Sequence, residues 1–158
     1  LLLKILKIKH HTPNIELYNS FIRQIPILTP KTKSDPLLEQ AFGRVNEQFF
    51  QMAMEKPNLQ WGVDAKRRLA SYNFHNDTIT VSTLFQDSPT PILDYLLYHE
   101  LLHKHFTFSS RNGRSRFHTK EFRNAESLFP EQERIEREIN SIIRSKTKRK
   151  SWTSYLPF

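Results

Sequence analysis

Five consecutive residues, His99-Glu100-Leu101-Leu102-His103, combine two imidazoles and a carboxylate at a spacing that suits metal chemistry. Residues four apart on an α-helix are offset by about 40° and about 6 Å along the axis, so both rings face the same way. Two neutral imidazoles on one face can share a Zn²⁺ at about 2.0–2.1 Å each. Glu100, between them, can take a proton from a water that the metal has acidified to a pKa of about 7. This is the H-E-x-x-H pattern, and a structural metal site needs no carboxylate between its ligands.

Catalytic zinc takes three protein ligands and keeps a fourth position open. The first candidate for the third ligand is His118, fifteen residues beyond His103, where the Asn112-Gly113 turn can send the chain back toward the helix. Glu121 and Glu126 compete with it, since a His-His-Glu set is equally good zinc chemistry. A carboxylate that is not a ligand can instead accept an imidazole N–H. His105, two residues from His103, points some 200° away on a helix and is the poorest choice. His10, His11 and His75 lie in other segments and read as solvated polar residues.

The element that must position this motif is unusually apolar. Eight of the eleven residues from 92 to 102 are hydrophobic, counting both tyrosines, so a helix over 90–106 is buried on most sides. Thr90 is expected to cap it and Pro91 to occupy its first turn. Burying an unpaired polar group costs a few kcal/mol, so three ionisable residues in such a helix point to a bound partner. Upstream, a helix follows a cap at Ser34 or Asp35 with Pro36 in its first turn. Its apolar stripe is Leu37, Leu38, Phe42, Val45, Phe49 and Phe50, and it ends before Pro57. Strands are expected at 59–63, 68–74 and 78–81, the last two joined as a hairpin through Asn76-Asp77. Downstream come a loop at 107–117, a short helix at 119–128, and a helix at 131–144 with Ile135, Ile139 and Ile142 on one side. Residues 1–9 fit a strand or short helix, and 14–25 a short helix with Leu17, Phe21 and Ile25 on one face.

The 158 residues favour one domain: a core at about 34–128, an N-terminal segment 1–33, and a C-terminal helix with a basic tail at 130–158. The chain has no cysteine, which excludes a disulfide framework and a thiolate nucleophile. Its three glycines (Gly43, Gly62 and Gly113) make no multi-glycine phosphate loop. No apolar run approaches the ~20 residues that cross a bilayer. The opening leucines lack an initiator Met, as in a trimmed chain or fragment. Lys4, Lys7 and Lys9 interrupt them, with no small-residue cleavage site after, which makes a poor secretory signal and leaves the cytoplasm as the expected location.

Four segments in order resemble the SprT-like zinc metallopeptidase domain. They are Arg67-Arg68-Leu69-Ala70-Ser71-Tyr72, then Thr78-Ile79-Thr80-Val81-Ser82, then Tyr98 to His103, then His118-Thr119-Lys120-Glu121-Phe122. The resemblance covers roughly residues 60 to 128. It implies zinc held by His99, His103 and His118, with Glu100 as general base. The implied fold is α+β and gluzincin-like, with several helices packed on a short three- to four-stranded sheet. It also implies a link to nucleic acid, because the DNA-repair protease Spartan belongs to the same wider group. The Cys-based zinc ribbon of some members has no counterpart in this chain.

A peptidase of this kind is expected to take its polypeptide substrate as an added strand on a sheet edge, and the strand at 78–81 is the candidate edge. Tyr72, Tyr98 and Arg68 are candidate donors to the transition-state oxyanion. The net charge is +8. Arg111, Arg114, Arg116 and Lys120 crowd one loop. Arg144, Lys146, Lys148, Arg149 and Lys150 form a second cluster before Trp152, Tyr155 and Phe158. Basic residues beside aromatics suit DNA, single-stranded in particular, and acidic protein substrates suit them equally. The rival to an enzyme is a zinc-stabilised nucleic-acid-binding or adaptor module without hydrolytic activity.

Overall fold

A computed structural model describes residues 28–106, 110–111, 114–115 and 118–153, and the isolated positions 17, 20 and 24. The element read at 1–9 and most of the helix read at 14–25 lie outside the described residues.

Helix α1, Pro36–Phe50, starts as its cap dictates: the Asp35 carboxylate accepts from the N–H groups of Leu37 and Leu38, with Pro36 in the first turn. Leu38, Ala41, Phe42 and Val45 are buried, with Phe49 and Phe50 packed against the same core. Leu37 was expected in that stripe but is largely exposed. The helix stops at Gln51, which adopts a left-handed conformation (φ 52°), and the Asn46 side chain ties down Met54 through both its N–H and C=O.

Three strands follow: β1 (Asn58–Trp61), β2 (Ala70–Asn73) and β3 (Thr78–Val81). β2 and β3 form the expected antiparallel hairpin, and Asp77 takes the left-handed position of its turn (φ 42°). β1 pairs parallel with β3, so the sheet order is β1-β3-β2. The strand expected at the edge is therefore central. Its β-branched run, with Thr78, Ile79 and Val81 buried, suits a strand flanked on both sides. The outer side of β1 is covered by the segment leading into α1. Leu59 N–H donates to Lys33 O at 2.9 Å and Asp35 N–H to Leu59 O at 3.2 Å. β2 pairs with β3 alone among the described residues.

A 3₁₀ turn, Thr83–Phe85, leads into helix α2, Thr90–His105. The residue at its cap position is Pro89, whose carbonyl accepts from Ile92 N–H at 3.0 Å; Thr90, expected as a side-chain cap, is instead the first helical residue. As its composition predicts, α2 is buried on most sides, and α1, β2, β3 and the two later helices all pack on it. The region read as a loop at 107–117 contains a two-residue antiparallel pair, β4 (Ser110–Arg111) with β5 (Arg114–Ser115). Helix α3, Lys120–Glu126, is capped by the Thr119 hydroxyl. Helix α4, Gln132–Thr153, buries Ile135 and Ile139 and runs nine residues beyond the expected end. Lys and Arg are good helix formers, and no Gly or Pro interrupts them there. The architecture is α+β: among the described residues, four helices longer than one turn surround a small mixed sheet, and none is long and apolar enough to cross a membrane.

Candidate metal centre

His99 and His103 lie on one face of α2, and His118 is brought to them just ahead of α3 by the Thr119 cap. The Nε2 atoms of His103 and His118 lie 3.2 Å and 3.4 Å from His99 Nε2. One ligand nitrogen from each ring falls within 4.8 Å of the others. Ring nitrogens bound tetrahedrally at 2.0–2.1 Å stand about 3.3–3.4 Å apart, so the spacing fits one ion. The proton inventory agrees. His99 Nδ1 is 2.6 Å from Glu126 Oε1, so the Nδ1–H is directed at the carboxylate and the Nε2 lone pair faces the other two rings. Converging lone pairs need a cation or a proton between them.

Protonation is disfavoured at two of the three. Burial, then the neighbouring His99 and His118, push His103 down to about 4. Burial and His99 also lower His118, although its ring is the exposed one and marks the solvent side of the cluster. Burial opposes a charge on His99 as well, but the Glu126 hydrogen bond and the charges of Glu100, Glu126 and Glu136 outweigh it and raise its pKa. Glu126 is correspondingly held below the usual carboxylate range by His99. Phe122, fully buried, packs against all three imidazoles with ring centroids 4.7–5.3 Å away and forms the floor of the cluster.

Glu100 lies next to His99 on α2, turned toward the sheet side where Arg68 and Tyr72 influence it. Burial pushes its carboxyl up to about 7, against the lowering effects of His99, the Tyr72 backbone N–H and Arg68. The Tyr72 N–H is available because of strand register. Ser82 N–H donates to Leu69 O, so residues 69, 71 and 73 face β3 while Ala70 and Tyr72 turn their backbone groups outward.

The remaining candidates separate. Glu126 contacts His99 from behind rather than joining the three nitrogens, and Glu121 is exposed on α3 and outside the group. His105 packs on Phe50 and Phe106, and His75 on Phe74, away from the cluster. Both tyrosine hydroxyls are committed elsewhere: Tyr98 donates to Ala125 O at 2.5 Å and Tyr72 to Asp77 Oδ1 at 2.8 Å. That removes them as oxyanion donors in this arrangement and leaves Arg68, exposed and within electrostatic reach of Glu100. The side chains of Arg111, Arg114, Arg116 and of Lys148, Arg149 and Lys150 lie outside the described residues. His10 and His11 do too. Lys146 is anchored, its ammonium donating to Leu84 O at 2.8 Å.

Sequence reasoning overlooked Phe122 as the floor and Tyr95 as a neighbour of the site. Helical spacing held the signal for Tyr95, which precedes His99 by four residues on the same face.

The model of the SprT-like family matches residues 38–140. The chain belongs to the SprT-like family. The match takes in α1, the sheet, α2, α3 and most of the buried face of α4. No curated protein matches the sequence significantly. Among solved structures, the metallopeptidase zymogen jannalysin of Methanocaldococcus jannaschii is similar in fold. Its TM-score is 0.50 at 19% identity, over 77% of this chain and 97% of that one. Family membership supports a metallopeptidase-type function for this chain, and the three-histidine cluster supports a bound metal ion.

Proposed function

We propose that this SprT-like chain is a zinc-dependent metallopeptidase in which His99, His103 and His118 hold the ion and Glu100 is the general base. The observation that carries the reading is that His103 Nε2 and His118 Nε2 lie 3.2 and 3.4 Å from His99 Nε2, all three nitrogens within 4.8 Å of one another, beside a buried carboxylate. Three protein ligands with one side toward solvent suit an open catalytic zinc site, and three imidazoles are one of the sets that serve. Bound there, zinc supplies a Lewis acid that polarises the scissile carbonyl and acidifies an attacking water.

The chain's own groups do the rest. Glu100, raised toward neutrality, takes the proton of the attacking water and returns it to the leaving amine. Glu126 fixes the His99 tautomer so that Nε2 faces inward. The polypeptide lies along the outer edge of β2, where the backbone groups of Ala70 face away from β3. This replaces the strand at 78–81, which has neighbours on both sides.

The +8 charge extends the proposal to substrates associated with nucleic acid, with the basic run after Arg144 continuing along α4. A non-hydrolytic zinc module is the poorer reading, because it leaves the buried Glu100 without a task.

The test is cleavage of an unstructured polypeptide by the zinc-loaded protein beside Glu100→Gln, with and without single-stranded DNA. The variant should retain about one zinc per chain and lose activity by about 10²–10⁴-fold. Equal activity refutes the base role. DNA binding that does not weaken with salt, or none at all, removes the nucleic-acid extension.

A further inference from the structure

We propose that Tyr95 of α2 and Glu136 of α4 are positioning residues for the metal centre, acting on His99 through Glu126. This rests on the three-histidine zinc reading above and goes beyond it, by making the C-terminal helix part of the site's support.

The chain of contacts is short. His99 Nδ1 lies 2.6 Å from Glu126 Oε1. That oxygen lies 3.3 Å from the Tyr95 hydroxyl, which donates to Glu136 Oε1 at 2.7 Å. Gln132 Nε2 donates to the same Glu136 oxygen at 2.9 Å and reaches the hydroxyl at 3.4 Å. Tyr95 is buried, and burial together with the two carboxylates raises its pKa, so the phenol keeps its proton.

One phenolic proton thus sits between a carboxylate of α3 and a carboxylate of α4. A phenylalanine would fill the same space, since the ring packs edge-on against Phe129. The hydroxyl is therefore unnecessary for packing and useful only to the polar chain. It limits the rotamers open to Glu126, and Glu126 in turn sets the tautomer and plane of the His99 ring. Outer partners of this kind govern metal affinity because a misdirected imidazole loses its bond to the ion.

The experiment measures zinc affinity by competition with a chromogenic chelator for the whole chain and for Tyr95→Phe, Glu136→Gln and Glu126→Gln. The visible spectrum of the cobalt-substituted proteins and the melting temperature of the metal-free ones are recorded alongside. Glu126→Gln should weaken zinc binding about 10–100-fold. Tyr95→Phe and Glu136→Gln should weaken it by a smaller factor, at least about threefold, with an altered cobalt spectrum and a metal-free melting temperature within a few degrees of the parent. Unchanged affinity and spectrum in both Tyr95→Phe and Glu136→Gln overturns the proposal, even if Glu126→Gln is weakened. Affinity losses matched by an equal loss of metal-free stability also overturn it, because packing then explains them. If the parent chain binds no zinc, the metal reading itself fails, and this proposal falls with it.

Discussion

The backbone N–H of Tyr72 turns away from β3 and helps to hold down the pKa of Glu100, linking the outer edge of the sheet to the buried acid of α2. The same strand thus supports the proposed base and presents its neighbouring backbone groups to a substrate. From the α3 side, Glu126 orders His99. The helix is held in register from both sides, by a strand on one and by α3 with α4 on the other.

The edge assignment has a direct consequence at Ala70. Its N–H points away from β3, so Ala70→Pro removes a substrate hydrogen bond without removing a ladder bond, and edge positions tolerate proline. One lost backbone hydrogen bond is worth about 1 kcal/mol, so KM for a polypeptide should rise about fivefold at unchanged zinc content. Steady-state kinetics settle it, and an unaltered KM in a folded variant moves the substrate off β2.

Phe122 is expected to matter to stability and to the metal at once. Truncating a fully buried phenylalanine costs about 3–5 kcal/mol, and here the cavity opens beneath three imidazoles. Phe122→Ala should therefore lower both denaturation midpoint and zinc affinity. By contrast Arg44→Ala, which breaks the bidentate pair with Asp94 between α1 and α2, removes an exposed interaction worth about 1 kcal/mol or less. Chemical denaturation of the two variants side by side reads the difference.

What the sequence made legible follows from how local each signal is. α2 and its motif could be read because an apolar run with charged residues inside it is visible within a dozen positions. The Asp35-Pro36 start of α1 and the Asn76-Asp77 hairpin are similarly local. Strand order is not: nothing within Thr78–Val81 says that β1 will pair with it in parallel across a helix-free connection. The cap of α2 was misplaced because a threonine beside two prolines leaves the choice to the backbone. The end of α4 was missed because its last turns carry no apolar periodicity. The three imidazoles were proposed from spacing and resemblance, yet the roles of Tyr95 and Asp77 depend on partners as far away as 41 and 46 residues.

Asp77 illustrates the last point. Its carboxylate is fully buried and meets Lys31, Lys104 at 2.9 Å and the Tyr72 hydroxyl at 2.8 Å. Lys104 follows His103 directly, so this one acid ties the hairpin turn to the end of α2. Asp77→Asn takes away a fully buried counter-charge from the half-buried Lys31 and Lys104 ammonium groups and should cost about 3–5 kcal/mol. Tyr72→Phe removes one hydrogen bond to a charged group and should cost about 1.5–3 kcal/mol. Urea titrations of both variants test this ranking, and a reversed order would exclude the charge pairing as the dominant contribution.

Metal-free protein should show a pH dependence traceable to Glu100. Burial raises its carboxyl from 4.5 to about 7, so between those values the folded chain holds a proton that the unfolded chain has released. Stability must then fall as pH rises through this window, because the unfolded state binds fewer protons. At 1.36 kcal/mol per unit the loss approaches about 3 kcal/mol by pH 8. His99, also raised, contributes in the same direction, so the informative quantity is the difference between the parent and Glu100→Gln. The variant cannot ionise at this position. It should match the parent near pH 4.5 and exceed it by a few kcal/mol at pH 8 in chelator-treated urea titrations. Parallel curves for the two proteins would mean that Glu100 is already ionised at neutral pH without a metal beside it.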